Sequence, residues 1–144
     1  EPMRKIAWLL RQTAFARRDQ VRVSDADRAR VRMFEDFADN SFTVQCGLLY
    51  AELRKSEDLI DQERVQRYKG DLIRVLEFLD RQLNGQEYLV EEFSLADLAF
   101  IPRLLSLPQV GVELPSRLKS VIAWITRLSQ RPSVVQLQKE LDIS

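Results

Sequence analysis

Few side chains in this sequence can do chemistry, and their spacing narrows the field. There is no histidine, which removes Ser-His-Asp and Cys-His catalysis, His-containing metal sites and the helical zinc-protease motif. Neither a Walker loop nor GxGxxG occurs. The one cysteine, Cys46, lies on an apolar line with no cation beside it in sequence to lower its pKa. It reads as a small hydrophobe rather than a redox or modification site. Tyr50 and Tyr68 can donate hydrogen bonds to a ligand, although packing is the commoner use of isolated tyrosines.

The best-defined polar pair is Ser94 and Asp97, in the stretch EEFSLADLAF. A serine followed three residues later by an acid, just before an apolar run, has the form of a capping box. Ser94 at the N-cap accepts from the Asp97 amide and Asp97 reaches back to the Ser94 amide, so two orphan donors of a helix start are satisfied together. Phe93 and Leu98 occupy the positions of a hydrophobic staple. The spacing assigns Asp97 a structural role, worth about 0.5–2 kcal/mol through the cap, and no catalytic one.

Helices must position this pair, and five or more are expected from the period. Met3, Ile6, Ala7, Leu10 and Ala14 recur at helical spacing in a leader, and 19–23 reads as a connector. Ser24 opens the next helix with Asp25 and Asp27 in its first turn, where the helix dipole favours acids. Its core stripe is expected on Val31, Phe34, Phe37, Ala38, Val44 and Leu48. A second apolar line follows on Phe42, Cys46, Leu49 and Leu53. Either two neighbouring helices sandwich this segment, or the second line is a ligand wall or subunit contact. A helix from Gln62 to Leu83 stops at Asn84-Gly85. The helix begun at Ser94 runs into Pro102, which must kink it or sit in a first turn. Pro115-Ser116 opens another, halted by Arg131-Pro132, and a last one spans about 133–141. No convincing strand occurs.

With 144 residues, 45% of them hydrophobic, only 4 Gly and 5 Pro, the chain has the length and composition of one helical globular domain. Charged residues interrupt every apolar stretch, so no membrane span is expected. MRKIAWLLRQ imitates the start of a signal peptide, but Arg11 interrupts it and no small-residue cleavage site follows. The 22 basic and 22 acidic residues balance, which argues against a nucleic-acid binder. Residues 1–22 nevertheless hold six basic groups against Glu1 and Asp19, a surplus of four that the remainder offsets. Such a basic leader beside an acidic body marks either a targeting segment or a helix that docks on that body. A lone cysteine suits a reducing compartment, and a cytoplasmic location is expected.

Three motifs together resemble one family. YLVEEFSLADLAFIPRL resembles the segment of glutathione S-transferases in which a tyrosine-leucine, a short connector and S/T-x-A-D lead into the buried central helix of the C-terminal domain. RARVRMFEDF is similar to that domain's first helix. AWITRLSQRPSV is similar to a later one, with Trp124 and Arg131-Pro132 in the expected places. The resemblance covers about residues 24–138 and implies an all-α fold, a transferase C-terminal-like bundle of five to six helices over 24–144. Residues 1–23 would be a leader helix and connector, similar to the last helix of a thioredoxin-like domain whose remainder is absent. There Glu1 matches the acid that holds the γ-glutamyl end of glutathione, while Pro2 stands in place of the family's serine.

The resemblance places the sulfur-activating Ser, Cys or Tyr in that absent domain. It therefore implies no catalytic residue, metal or cofactor in this chain, and no turnover by it alone. Glutathione would be the co-substrate of the full-length protein. The helical domain would supply subunit contacts and an apolar co-substrate wall, expected on Phe42, Cys46, Leu49 and Leu53. Its partners would be the thioredoxin-like N-terminal domain, a second copy in a homodimer and an apolar small molecule, with neither nucleic acid nor membrane. The alternative is a non-catalytic module of the same fold, as in elongation-factor gamma subunits or the stringent starvation protein. The string LPQVGVEL (107–114) resembles a loop of the latter.

Overall fold

Among residues 24–140, which the computed structural model describes, every regular element is helical. Ser24 opens helix α1 (Asp25–Phe37), its hydroxyl accepting from the Asp27 amide at 3.1 Å. A π-helical turn (Ala38–Phe42) joins α1 to α2 (Thr43–Leu53) without interrupting the rod. After a 3-10 turn (Glu57–Leu59), α3 (Gln62–Gln82) runs back along α2. Asp61 caps α3, accepting from the amides of Glu63 and Arg64. Gly85 sits at φ 75 beyond its end, a left-handed stop that suits glycine.

The central segment is split. Helix α4 (Leu95–Leu98) ends in a turn at residues 99–100, and α5 (Ile101–Ser106) begins there with Pro102 in its first turn. Proline lacks an amide, so the break falls just before it rather than within the helix. A short 3-10 turn (Pro108–Val110) and Gly111, at φ 70, lead out.

Helix α6 (Lys119–Ser129) starts later than Pro115-Ser116 suggests. No local side chain caps it. Instead Asp80 of α3 accepts from the Val121 amide at 2.9 Å, and this cap from another helix sets the start. Pro132 opens α7 (Pro132–Glu140), which suits a residue with no amide to lose. Counted as rods among the described residues, α1–α2, α3, α4–α5, α6 and α7 form a five-helix all-α bundle.

The core is a chain of aromatic contacts centred on Phe100. Its ring lies 5.5 Å from Phe42, 6.4 Å from Phe37 and 5.9 Å from Trp124, and Phe37 stands 4.8 Å from Phe78 of α3. Phe100, Phe42 and Trp124 have no exposed surface. The α1–α2 rod and α6 thus meet on the central segment, with α3 packed behind Phe37, and offset or tilted ring pairs contribute about 0.5–1.5 kcal/mol each beyond burial.

One expectation needs correction. Val44 and Leu48, read as core, are 47% and 41% exposed, while Phe42 and Leu49 are fully buried and Cys46 nearly so. In an α-helix, steps of four residues drift by about 40° each. The wider turn at 38–42 takes up that drift, keeping Ala38, Phe42 and Cys46 in one line and turning Val44 and Leu48 outward.

Candidate functional site

Asp97 is the polar centre of the bundle. It has no exposed surface, yet its carboxylate meets three elements. Oδ2 accepts from the Ser94 amide at 3.0 Å, and Oδ1 accepts from the Leu89 amide at 3.1 Å and from the Trp124 indole N–H at 2.8 Å. The capping box is closed in both directions, and the Ser94 hydroxyl also accepts from the Ala96 amide at 3.2 Å. Burial pushes the carboxyl up to about 6, while the Leu89 and Ser94 amides and the indole pull it back. Only N–H donors face it, which is the environment of an anchor rather than of a proton carrier.

The connector at 86–93, which Asp97 grips, is also held from outside. Arg30 donates to the Leu89 carbonyl at 3.3 Å, and Arg127 donates to the Glu87 carbonyl. The Arg131 guanidinium lies 3.5 Å from the Phe93 ring centre, and Phe93 meets Tyr88 edge-on at 5.7 Å. Three arginines from α1, α6 and the α6–α7 junction clamp this stretch through carbonyls and rings. The Arg-Pro pair carries a sequence signal, but Arg30 has none.

Helix α2 presents two apolar faces. The line expected to form a co-substrate wall turns inward: Phe42 and Leu49 are fully buried, Cys46 is 8% exposed and Leu53 packs half-buried against the core. Burial pushes the Cys46 thiol up to about 11, with Arg103 of α5 pulling the other way. Arg103 is a cation that the sequence order around Cys46 does not reveal. At neutral pH this thiol stays protonated and unreactive. The opposite face carries Val44, Gly47, Leu48 and Ala51; all but the half-exposed Gly47 are exposed, and a Cβ added at Gly47 would meet nothing within 4 Å.

At the far end of α2 lies a second buried carboxylate. Glu52, 4% exposed, accepts from the Asp61 amide at 2.9 Å and pairs with Lys55 at 2.7 Å. It ties the α2–α3 loop to the cap of α3. The hydrogen bond from Lys55, then that from the Asp61 amide, hold its carboxyl below the usual range. Sequence reasoning missed it, although a lone acid inside the apolar run TVQCGLLYAEL is a signal that it needs a partner.

Among the described residues, no group of His, Cys, Asp or Glu is placed to hold a metal ion, and no helix is long and apolar enough to cross a membrane. Glu1, the residue matched to a glutathione contact, lies outside the described residues, as does the leader as a whole.

An all-helical bundle built on a capped, buried central segment is the arrangement that the resemblance in sequence implies for these residues. The model of the family described as glutathione S-transferase, C-terminal domain, matches residues 41–132, more than half of the chain, and the chain belongs to that family. It is similar in fold to the nitrogen regulation fragment of the yeast prion protein Ure2p (19% identity, TM-score 0.72, 82% of this chain and 56% of that one). It is similar also to the Phanerochaete chrysosporium transferase URE2P8 with oxidised glutathione (21%, 0.74, 84% and 56%). A third likeness is to a Pseudomonas putida glutathione transferase with glutathione disulfide bound (24%, 0.66, 82% and 54%). The chain therefore spans little more than half the length of these proteins. No curated protein matches it.

Proposed function

We propose that this chain is the helical half of a glutathione transferase-like protein, and that its apolar co-substrate wall is the outward face of α2: Val44, Gly47, Leu48 and Ala51. The observation that carries this reading is the exposure of that face. A helix apolar all round is normally covered on both sides, and α2 is covered on one. Phe42 and Leu49 hold the core behind the wall, and Leu53 borders it.

In this reading a thioredoxin-like domain upstream binds glutathione and activates its sulfur, in the cytoplasm and within a homodimer. The electrophile rests on α2, and rate comes from bringing the two reactants together. The helical half supplies no thiol-activating group and turns over no substrate alone.

The test is binding of a fluorescent apolar probe to the purified chain. Leu48→Glu lies on the exposed face, so it leaves the fold intact and is expected to weaken probe binding at least tenfold, with an unchanged circular dichroism spectrum. Unchanged binding in that variant removes the wall and leaves the non-catalytic assembly module as the better reading.

A further inference from the structure

The sequence has two asparagines, Asn40 and Asn84, and both side chains are exposed. Their backbones differ. Asn40 lies in the π-helical turn of the α1–α2 rod, and the Ser41 amide that follows it sits inside continuous helix. Amides there are committed to carbonyls of the preceding turn. Asn84 lies past the end of α3, in a turn that the Gln86 amide closes on the Leu83 carbonyl at 2.9 Å. The Gly85 amide, in the middle of that turn, donates no hydrogen bond to a described residue. Gly85 is itself exposed at φ 75, and a Cβ built on it would meet nothing within 4 Å. A backbone nitrogen that is uncommitted, uncrowded and open to water therefore adjoins the Asn84 side-chain amide.

We propose that Asn84 is a self-modification site, at which the Gly85 nitrogen closes on the Asn84 side chain to form a cyclic imide. Water or hydroxide removes the Gly85 N–H proton. The nitrogen then bonds to Cγ of Asn84, the bond from Cγ to Nδ2 breaks, and Nδ2 takes up a proton and leaves as ammonia. Water opens the ring at either carbonyl. Attack at Cγ restores the ordinary main chain and leaves an aspartate at position 84. Attack at the backbone carbonyl leaves an isoaspartate, whose main chain runs through the former side chain. Closure releases ammonia and opening consumes water, so neither step needs an enzyme, a metal or a redox partner.

The position of the site gives the reaction a consequence. Either product sets a carboxylate at the C-terminal end of α3, where the helix dipole disfavours it. The isoaspartyl product also adds a methylene to the main chain between the buried Leu83 and the connector at 86–93. Asp97, Arg30 and Arg127 hold that connector further along, through Leu89 and Glu87. The added length therefore enters between two fixed points, and the bond from Gln86 to Leu83 is expected to break. Modification acts as a slow, one-way loosening of the loop that Asp97 anchors. It is independent of whether the α2 face binds a co-substrate.

The experiment incubates the full 144-residue chain in native buffer at mildly acid and mildly alkaline pH and follows both asparagines by peptide mapping. Asn84 is expected to convert several-fold faster than Asn40, and faster still as pH rises, because the deprotonated amide is the attacking form. Isoaspartate should appear together with aspartate. Asn84→Gln should abolish conversion at that position, since its longer side chain would have to close a larger ring. An Asn84 that stays intact, or converts no faster than Asn40, overturns the proposal. Aspartate without isoaspartate overturns it too, because direct hydrolysis of the side chain gives that product alone. The isoaspartyl chain, separated from the unaltered one, should denature at a lower midpoint; an unchanged midpoint overturns the coupling to the connector.

Discussion

Asp97 and Glu52 are the two buried carboxylates among the described residues, and they do the same job by opposite means. Each ties a loop to a helix start. Asp97 does so with two amides and an indole, all of them neutral donors. Glu52 does so with one amide and a lysine whose side chain is 39% exposed. Where no cation is present, burial dominates and the carboxyl is raised; where one is present, the hydrogen bond from it dominates and the carboxyl is lowered. The bundle is therefore pinned at its centre by hydrogen-bond geometry and at its edge by charge.

Removing the carboxylate tests the difference most strongly. Asp97→Ala leaves the buried Leu89 amide and Trp124 indole, and the half-buried Ser94 amide, without their acceptor. Each buried unsatisfied donor costs about 1–3 kcal/mol, so a loss of about 3–5 kcal/mol is expected, above the value for a cap alone. Chemical denaturation measures it, and a loss near ~1 kcal/mol, the ordinary value of a cap, would show that the three contacts add little to the capping box. Glu52→Ala is expected to shift the midpoint less, because Lys55 then returns to solvent.

The same comparison has a sign in pH. Asp97 has a folded pKa above its unfolded value, so its contribution is fully present below about 4 and is lost as pH rises through about 6. Glu52 has a lowered folded pKa, so its contribution is present above its ordinary value of 4.5 and is lost as pH falls. Denaturation at about pH 4 and about pH 7 should show the stability gap between the unaltered chain and Asp97→Asn shrinking as pH rises. The gap to Glu52→Gln should widen over the same interval. Gaps moving in the same direction would mean that the two sites are not electrostatic opposites.

Legibility in the sequence follows the range of the interactions. The capping box at Ser94 and the fold class rest on contacts within four residues or on helical period, and both can be read from the string. Trp124 as a core residue follows from its place in AWITRL, but its bond to Asp97 joins positions 27 apart. Nothing local encodes that distance. The late start of α6 likewise depends on Asp80, 41 residues away. The α2 faces are misread for a different reason: a period of about 3.6 does not hold through residues that turn more widely, and the phase of everything after Ala38 shifts. Val44 and Leu48 look as apolar as Phe42 and Leu49, and only the backbone decides which pair faces the core.

The smallest expected effect lies in the connector that Asp97 holds. Glu91 is exposed and sits at φ 22, the only positive φ outside glycine among the described residues. Left-handed backbone costs a residue with a Cβ about 1–2 kcal/mol, and glycine escapes that cost while giving up some unfolded-state stiffness. Glu91→Gly should therefore stabilise the chain by up to about 1 kcal/mol, seen as a raised denaturation midpoint with an unchanged slope. The sharper reading comes from combining it with Asp97→Ala. If Asp97 is what forces the connector into this path, the gain from Glu91→Gly should vanish once the carboxylate is gone, because the freed connector relaxes Glu91 on its own. An additive pair would assign the strain instead to the arginine clamp of Arg30, Arg127 and Arg131, and would separate the inner hold on this loop from the outer one.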